Sequence, residues 1–428
     1  MNRYESYKKV NLPWLKEVPS HWEINRVKRY FEITRGRVIP KEELDSNGKY
    51  PVYSSQTENY GIMGYLNTYD FDEVDCITWT TDGEKAGTTF LRSGKYNCTN
   101  ICGILLPKID KLKDINLAYC NYIIGLGNQH SRRKDTNGYK IMNNEMEKNT
   151  ILLPPLPEQI QIASYLDWKI NEIDRLIQIE KKKIKELNHI KQLSISFEYK
   201  KISKKIRLKM LLSEPLLYGI NGTGETDGSI RFIRITDINK DGELKENNCQ
   251  YFDNCENKFL LKKGDILFAR SGTVGKSYIH KSENMKMCFA GYLIRARLDT
   301  EIVLPEFAYL YTQSADYEKW KESISIQSTI QNISAEKYAN LQIPFVDKIE
   351  QKNIIQHLRK IINSIEKCKV IISKKIKELE SLKQSLISEV VTGKIDVRNV
   401  VIPEYEKVTV LDDEAEEFDE MDRIEDGN

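Results

Sequence analysis

The stretch "LFARSGTVGKSYI", Leu267 to Ile279, closes on Gly275-Lys276-Ser277, the residues that hold a nucleotide phosphate when another glycine stands five positions earlier. That earlier position is Arg270, and the β-branched Val274 lies on the approach, so the backbone lacks the tight turn that wraps a phosphate. A P-loop-type NTPase acting through Lys276 is thus the enzymatic rival among the readings of this chain. The eight cysteines are scattered, and the closest pairs, Cys98 with Cys102 and Cys249 with Cys255, miss the C-x2-C spacing of a zinc knuckle. They read as buried free thiols in a reducing compartment. The five histidines, His21, His130, His189, His280 and His357, show no ligand spacing, and neither a metal site nor a catalytic triad is expected.

Charge points to a different chemistry. From Leu411 to Asn428 ten carboxylates face the single Arg423, a net −9, so for a total of +2 the rest of the chain carries +11. A surplus of that sign favours a polyanion such as nucleic acid, though it also serves solubility. The tail has few apolar residues and reads as disordered. The chain's 428 residues allow two or three domains. With no basic-then-apolar leader and no apolar run near ~20 residues, the expectation is a cytoplasmic protein without a membrane partner.

Self-similarity shows what would position the side chains. "EQIQIASYLDWKINEIDRLIQIEKKKIKELNHIKQLSIS" from Glu158 and "EQKNIIQHLRKIINSIEKCKVIISKKIKELESLKQSLIS" from Glu350 match without a gap at an offset of 192. Each follows a proline-bearing lead, "ILLPPLP" or "LQIPFVD", and proline suits a helix's first turn. Apolar residues step by four and three, through Leu166, Ile170, Ile173, Ile177, Ile184 and Leu187, and through Leu358, Ile362, Ile365, Ile372, Ile376, Leu379 and Leu386. That is a heptad seam, and it predicts that the two helices, each roughly 58 Å long, pair with one another; the alternative is that each lies on its own domain. Glu180 and Lys369 interrupt the seam, and both copies carry a later seam lysine, Lys191 and Lys383.

The regions upstream, some 130 residues each, read as mixed, strand-rich α/β structure. "VDCITWTTDGEKAGTTFL" aligns with "GDILFARSGTVGKSYI", placing Asp75 opposite Asp265, Gly83 opposite Gly272 and Gly87 opposite Gly275. "CTNICGILLPK" from Cys98 likewise aligns with "CFAGYLIRARL" from Cys288. The predicted organisation is a globular domain (1–153), a long helix (154–198), a second globular domain (199–343), a second long helix with its extension (344–400) and the acidic tail (401–428). Two divergent domains on two similar helices suit the reading of two half-sites along a duplex.

From "WLKEVPSHWEINRVKRYFEI" at Trp14, through "LPPLPEQIQIASYL" at Leu153, to "LISEVVTGKIDVRN" at Leu386, the chain resembles the DNA-specificity subunits of Type I restriction-modification systems. It departs from them in lacking the Pro-Ser-His-Trp lead-in before the second domain and in having Phe345-Val346-Asp347 where the first copy has Pro155-Leu156-Pro157. The resemblance implies a non-catalytic subunit with two target-recognition domains separated by an antiparallel coiled coil that sets an unread gap. It further implies double-stranded DNA, two methyltransferase subunits and two restriction subunits as partners. S-adenosylmethionine, ATP and magnesium would sit on those partners, with no cofactor on this chain. A coiled-coil adaptor that never meets DNA is the other alternative.

Base edges are read by Arg or Lys at guanine and by Asn or Gln at adenine. In the first domain the candidates are Tyr53, Ser54, Ser55 and Gln56, then Thr80, Thr81 and Lys85 of the glycine turn, then Arg132, Arg133, Lys134 and Asn137 with Tyr139 close by. In the second they are Arg231 and Arg234, then Arg270, Ser271, Thr273 and Lys276, then Gln327, Ser328 and Gln331. The basic runs from Lys181 and Tyr199 read equally as solvated faces, partner-docking faces or phosphate contacts. Trp22 and Trp168 read either as interface anchors or as core.

Overall fold

The computed structural model describes residues 3–136, 138–239, 241–271, 275–325 and 332–408, the side chain of Ser325 excepted. Asn137, Thr273, Gln327, Ser328, Gln331 and the acidic stretch from Leu411 lie outside the described residues. Over the described residues the chain divides into two compact units, 3–180 with 374–408, and 181–373.

The first unit is built on a four-stranded antiparallel sheet in the order Phe31–Arg35, Cys102–Pro107, Cys76–Thr80, Thr89–Arg92. A three-stranded sheet runs Asn97–Cys98, Tyr50–Tyr53, Ile62–Leu66, its first pair parallel. Glu23–Arg26 and Thr150–Leu153 pair antiparallel and close the domain. The helix Leu117–Ser131 starts on Asn116, whose side chain accepts from the Tyr119 amide, and buries Tyr119, Cys120, Ile123 and Ile124 at helical spacing in the core that holds Ile77, Trp79 and Leu105.

The second unit repeats the strand order of these two sheets and the closing pair. Its four-stranded sheet is ordered Leu212–Tyr218, Leu293–Leu298, Ile266–Ala269, Ser277–Ile279. Its three-stranded sheet is Met287–Phe289, Ile230–Ile233, Gln250–Phe252, again with the first pair parallel, and Lys205–Arg207 with Gln342–Pro344 is the closing pair. Two helices, Pro305–Tyr311 and Ala315–Ser325, follow in the chain where the first unit has one.

Hydrogen bonds correct the alignment of the repeats by one residue. The Gly87 amide donates to the Thr80 carbonyl (2.8 Å) and the Gly275 amide to the Ala269 carbonyl (3.1 Å), so Thr80 matches Ala269 and the glycine pairing holds. Both glycines need positive φ, +91° and +81°, and each carbonyl is held by a buried polar side chain, Asn128 Nδ2 at 2.9 Å and the Tyr317 hydroxyl at 2.9 Å. Asp265 therefore matches Cys76 rather than Asp75; it is buried on Arg297 (2.7 Å), whereas Asp75 is exposed. Likewise the Thr99 amide donates to the Tyr53 carbonyl as the Ala290 amide does to Ile233, both at 2.9 Å, so Cys98 matches Phe289 rather than Cys288. A one-residue slip in a strand exchanges the two faces, and matching residue types alone does not reveal it. Gly83 opposite Gly272 falls on a residue outside those described.

The long helices span Leu156–Lys200 and Lys348–Val391. Their shared Glu-Gln start is explained by the glutamines. Gln159 Oε1 accepts from the Asn116 amide and its Nε2 donates to the Asp114 and Pro154 carbonyls, while Gln351 Oε1 accepts from the Leu304 amide and its Nε2 donates to the Ile302 and Val346 carbonyls. Each glutamine thus ties its long helix to the N-terminus of its domain's shorter one. Every apolar residue of the seam is buried or half-buried. Its polar interruptions are paired as ions. In the first unit Asp174 meets Lys383 and Glu180 meets Lys375, both at 2.7 Å. In the second, Lys191 meets Glu366 at 3.3 Å and Lys369 meets Asp241 at 2.9 Å. In the first unit higher positions on one helix meet lower ones on the other, the mark of antiparallel pairing.

Glu158 differs from its exposed counterpart Glu350, because it is buried and accepts from the Tyr4 hydroxyl (2.6 Å), the Trp22 indole (2.9 Å) and His21 Nε2 (2.7 Å). The Pro-Ser-His-Trp lead-in thus has a structural task in the first unit, and Trp22 is core. Gly393, at φ +74°, ends the second long helix against Pro19. The following segment runs beside the first long helix, where Gln161 Nε2 donates to the Val397 (3.0 Å) and Val400 (2.7 Å) carbonyls and Asn171 accepts from the Val408 amide (2.7 Å). Trp168 is half-buried with the Lys169 ammonium 3.6 Å from its ring centroid.

Candidate nucleic-acid interface

In the first unit the three candidate segments, far apart in sequence, meet on one surface. The Thr81 amide donates to Ser55 Oγ at 2.8 Å, and Ser55 Oγ in turn donates to Asp82 Oδ1 at 3.3 Å. Asp82–Gly83 pairs with Gly138–Lys140, and the Thr81 carbonyl accepts from the Ile141 amide at 2.9 Å. Arg132 donates to the Glu84 carbonyl at 3.1 Å and lies 4.0 Å from the Tyr139 ring centroid. Lys85, Arg133 and Lys134 project into solvent from this assembly.

Burial separates those that face outward from those that brace the surface. Ser54, Thr80 and Thr81 are buried; Thr80 Oγ1 donates to the Lys85 carbonyl at 2.7 Å and Thr81 Oγ1 to the Ile101 carbonyl at 2.8 Å. Tyr53 is half-buried beneath Arg92, whose guanidinium carbon lies 3.6 Å from the ring centroid. Gln56 is turned inward to the Ile62 carbonyl at 2.6 Å. Positive charge is partly offset locally. Arg133 lies 3.6 Å from Glu145, and Lys140, 2.8 Å away, holds the Asp135 carboxyl down to about 2.

The second unit assembles a different surface on the same frame. Arg231 is buried, pairing with Glu246 at 3.2 Å and donating to the Lys245 carbonyl. Arg234 pairs with Asp237 at 2.8 Å and donates to the Asn248 carbonyl at 2.8 Å. Both brace the loop that follows their strand, a loop that also reaches Lys369 through Asp241. Arg270, half-buried, sits one residue past Ile266–Ala269, its Nε 3.3 Å from Asn332 Oδ1 and its guanidinium 5.1 Å from the Tyr218 ring centroid. Ser271 and Lys276 are half-buried on the same turn. Ser277, which in a P-loop would open a helix, instead opens the strand Ser277–Ile279 and is buried on Thr312 Oγ1 at 2.6 Å, so the Gly-Lys-Ser match does not have the strand-loop-helix setting of a phosphate cradle.

Two exposed residues went unnoticed in the sequence. Ile101 and Tyr292, 45% and 54% exposed, each precede the matched residues Cys102 and Leu293 and so hold the same place in the two units. The only signal was an apolar residue in a turn, and the one-residue slip hid the match.

A family model described as the Type I restriction modification DNA specificity domain matches residues 19–189 and again 222–381. The specificity subunit of the MjaVIII Type I restriction enzyme of Methanocaldococcus jannaschii is 24% identical over 416 residues, covering 90% of this chain and 95% of that protein. The putative type I specificity subunit S.MpnORF507P of Mycoplasma pneumoniae is 35% identical over 156 residues, 36% of this chain and 41% of that protein. A solved structure concerned with complex assembly and conformational transition of the type I R-M system shares the fold at a TM-score of 0.57 and 14% identity, over 88% of this chain and 99% of that one.

Proposed function

Because the chain belongs to the Type I restriction-modification DNA-specificity family and carries two copies of its recognition domain, we propose that each unit reads one half of a split, asymmetric duplex target. The paired helices set the unread gap and dock two methyltransferase subunits, to which two restriction subunits are added. The chain supplies sequence recognition and no catalysis; S-adenosylmethionine, ATP and magnesium belong to the partners. One observation carries this reading: two units with the same strand order and the same glycine turn present unlike side chains at matched positions, as two readers of different half-sites would.

Mapping methylated adenines in a host expressing this chain with its methyltransferase tests the reading. A single split motif that vanishes on deletion of this chain is expected. Absence of any motif dependent on the chain would overturn it in favour of a coiled-coil adaptor, as would binding of random duplex as tightly as of any chromosomal fragment at moderate salt.

A further inference from the structure

We infer that Arg270 is the guanine-reading residue of the second unit, with Tyr292 beside it as the adjoining apolar contact. The inference rests on the split-target reading and adds to it a residue, a base and an equivalent position in the other unit.

The backbone of Arg270 is fixed on both sides. Its amide donates to the Tyr292 carbonyl at 2.9 Å, and its carbonyl accepts from the Ile333 amide at 2.9 Å. Thr81 holds the same node in the first unit, its carbonyl accepting from the Ile141 amide at 2.9 Å and its hydroxyl donating to the Ile101 carbonyl at 2.8 Å. The frame is shared and the side chain is not. One unit presents a short hydroxyl closed onto its own backbone, the other a long guanidinium.

That guanidinium is set apart from its neighbours. Arg231, Arg234, Arg295 and Arg297, all half-buried or buried, each hold a carboxylate, from Glu246, Asp237, Glu214 and Asp265 respectively. For Arg270 no carboxylate partner is found among the described residues; its Nε faces the Asn332 amide oxygen and its plane lies near the Tyr218 ring. A guanidinium oriented through Nε and an aromatic ring, with its terminal nitrogens not paired to an acid, is prepared for a planar acceptor pair outside the protein. Guanine N7 and O6 form such a pair. Tyr292, 54% exposed, is joined to Arg270 through the backbone, its carbonyl accepting from the Arg270 amide.

The test is methylome mapping of Arg270→Ala, Arg270→Lys and Tyr292→Ala chains, each co-expressed with the methyltransferase, with thermal melting and co-purification to check folding and assembly. Arg270→Ala is expected to relax one G·C position of one half-site by roughly tenfold to a hundredfold, leaving the other half-site and the gap unchanged. Arg270→Lys keeps the charge and loses the fork, so it should show most of that relaxation. Three results would overturn the inference: an unchanged motif in Arg270→Ala, a uniform loss of affinity on all duplexes that Arg270→Lys restores (a phosphate contact), or relaxation at an A·T position. A wild-type chain that directs no split motif at all would instead remove the split-target reading itself.

Discussion

Glu158 is the most committed side chain of the first unit, a buried carboxylate meeting three donors from the first 22 residues. Glu158→Ala leaves those donors without an acceptor and should destabilise the unit by about 3 kcal/mol, read as a lower denaturation midpoint. Glu158→Gln, which still accepts from Trp22, should cost less. His280 gives a pH signature to the second unit. It is buried, and burial pushes its pKa below the ordinary value despite the pull of Asp265. Its neutral form is favoured on folding, so its contribution is complete above about 6.5, the unfolded value, and is lost as pH falls through that value toward the lower folded one. Melting of wild type and His280→Gln at pH 7.5 and 5.5 should therefore show a wild-type loss that the variant lacks; parallel curves would contradict it. At this scale the sequence was a partial guide. It marked Arg270, Ser55 and Lys85 by type, yet Arg231 and Arg234 looked identical to Arg270 until their carboxylates were located, because acids 3 and 15 residues away act through folding rather than spacing.

The long helices were the most legible elements, since a seam with a four-three step leaves few other ways to be buried. What could not be read was how the seam tolerates charge. Lys383 and Asp174 are 28% and 21% exposed and pair at 2.7 Å, so removing one partner should be worse than removing both. Lys383→Leu is expected to cost about 1–2 kcal/mol, and the double substitution Asp174→Ala with Lys383→Leu should recover most of it, measured with the Asp174→Ala single as a denaturant double-mutant cycle. Additive effects of the two single changes would show that the pair adds no coupling. The strands were legible as strands but not in register, for Cys76–Thr80 and Ile266–Ala269 are buried along their whole length and show no apolar-polar alternation to mark their faces.

For the whole molecule, sequence repetition revealed two domains on two helices but not that they share a strand order down to a parallel pair. That order depends on contacts between segments tens of residues apart. The proposed ruler gives a quantitative expectation. Seven residues inserted into both helices, near Lys182 and Lys374, preserve the heptad step and add roughly 10 Å, which corresponds to about three base pairs of duplex. The methylated motif should keep both half-sites and widen its gap by about that amount; changed bases would refute the division of labour.

The first unit is completed by the segment after residue 373, whose Val390, Val391 and Val397 lie in one core with Tyr4 and Trp22. Over the described residues the second unit draws on the single run 181–373. On a ribosome the chain is released from its first residue onward, so the domain made first lacks part of its core while the domain made second already has nearly all of its own. The order of synthesis and the order of completion are thereby inverted, and the whole of the second unit is made between Trp22 and the valines that share its core.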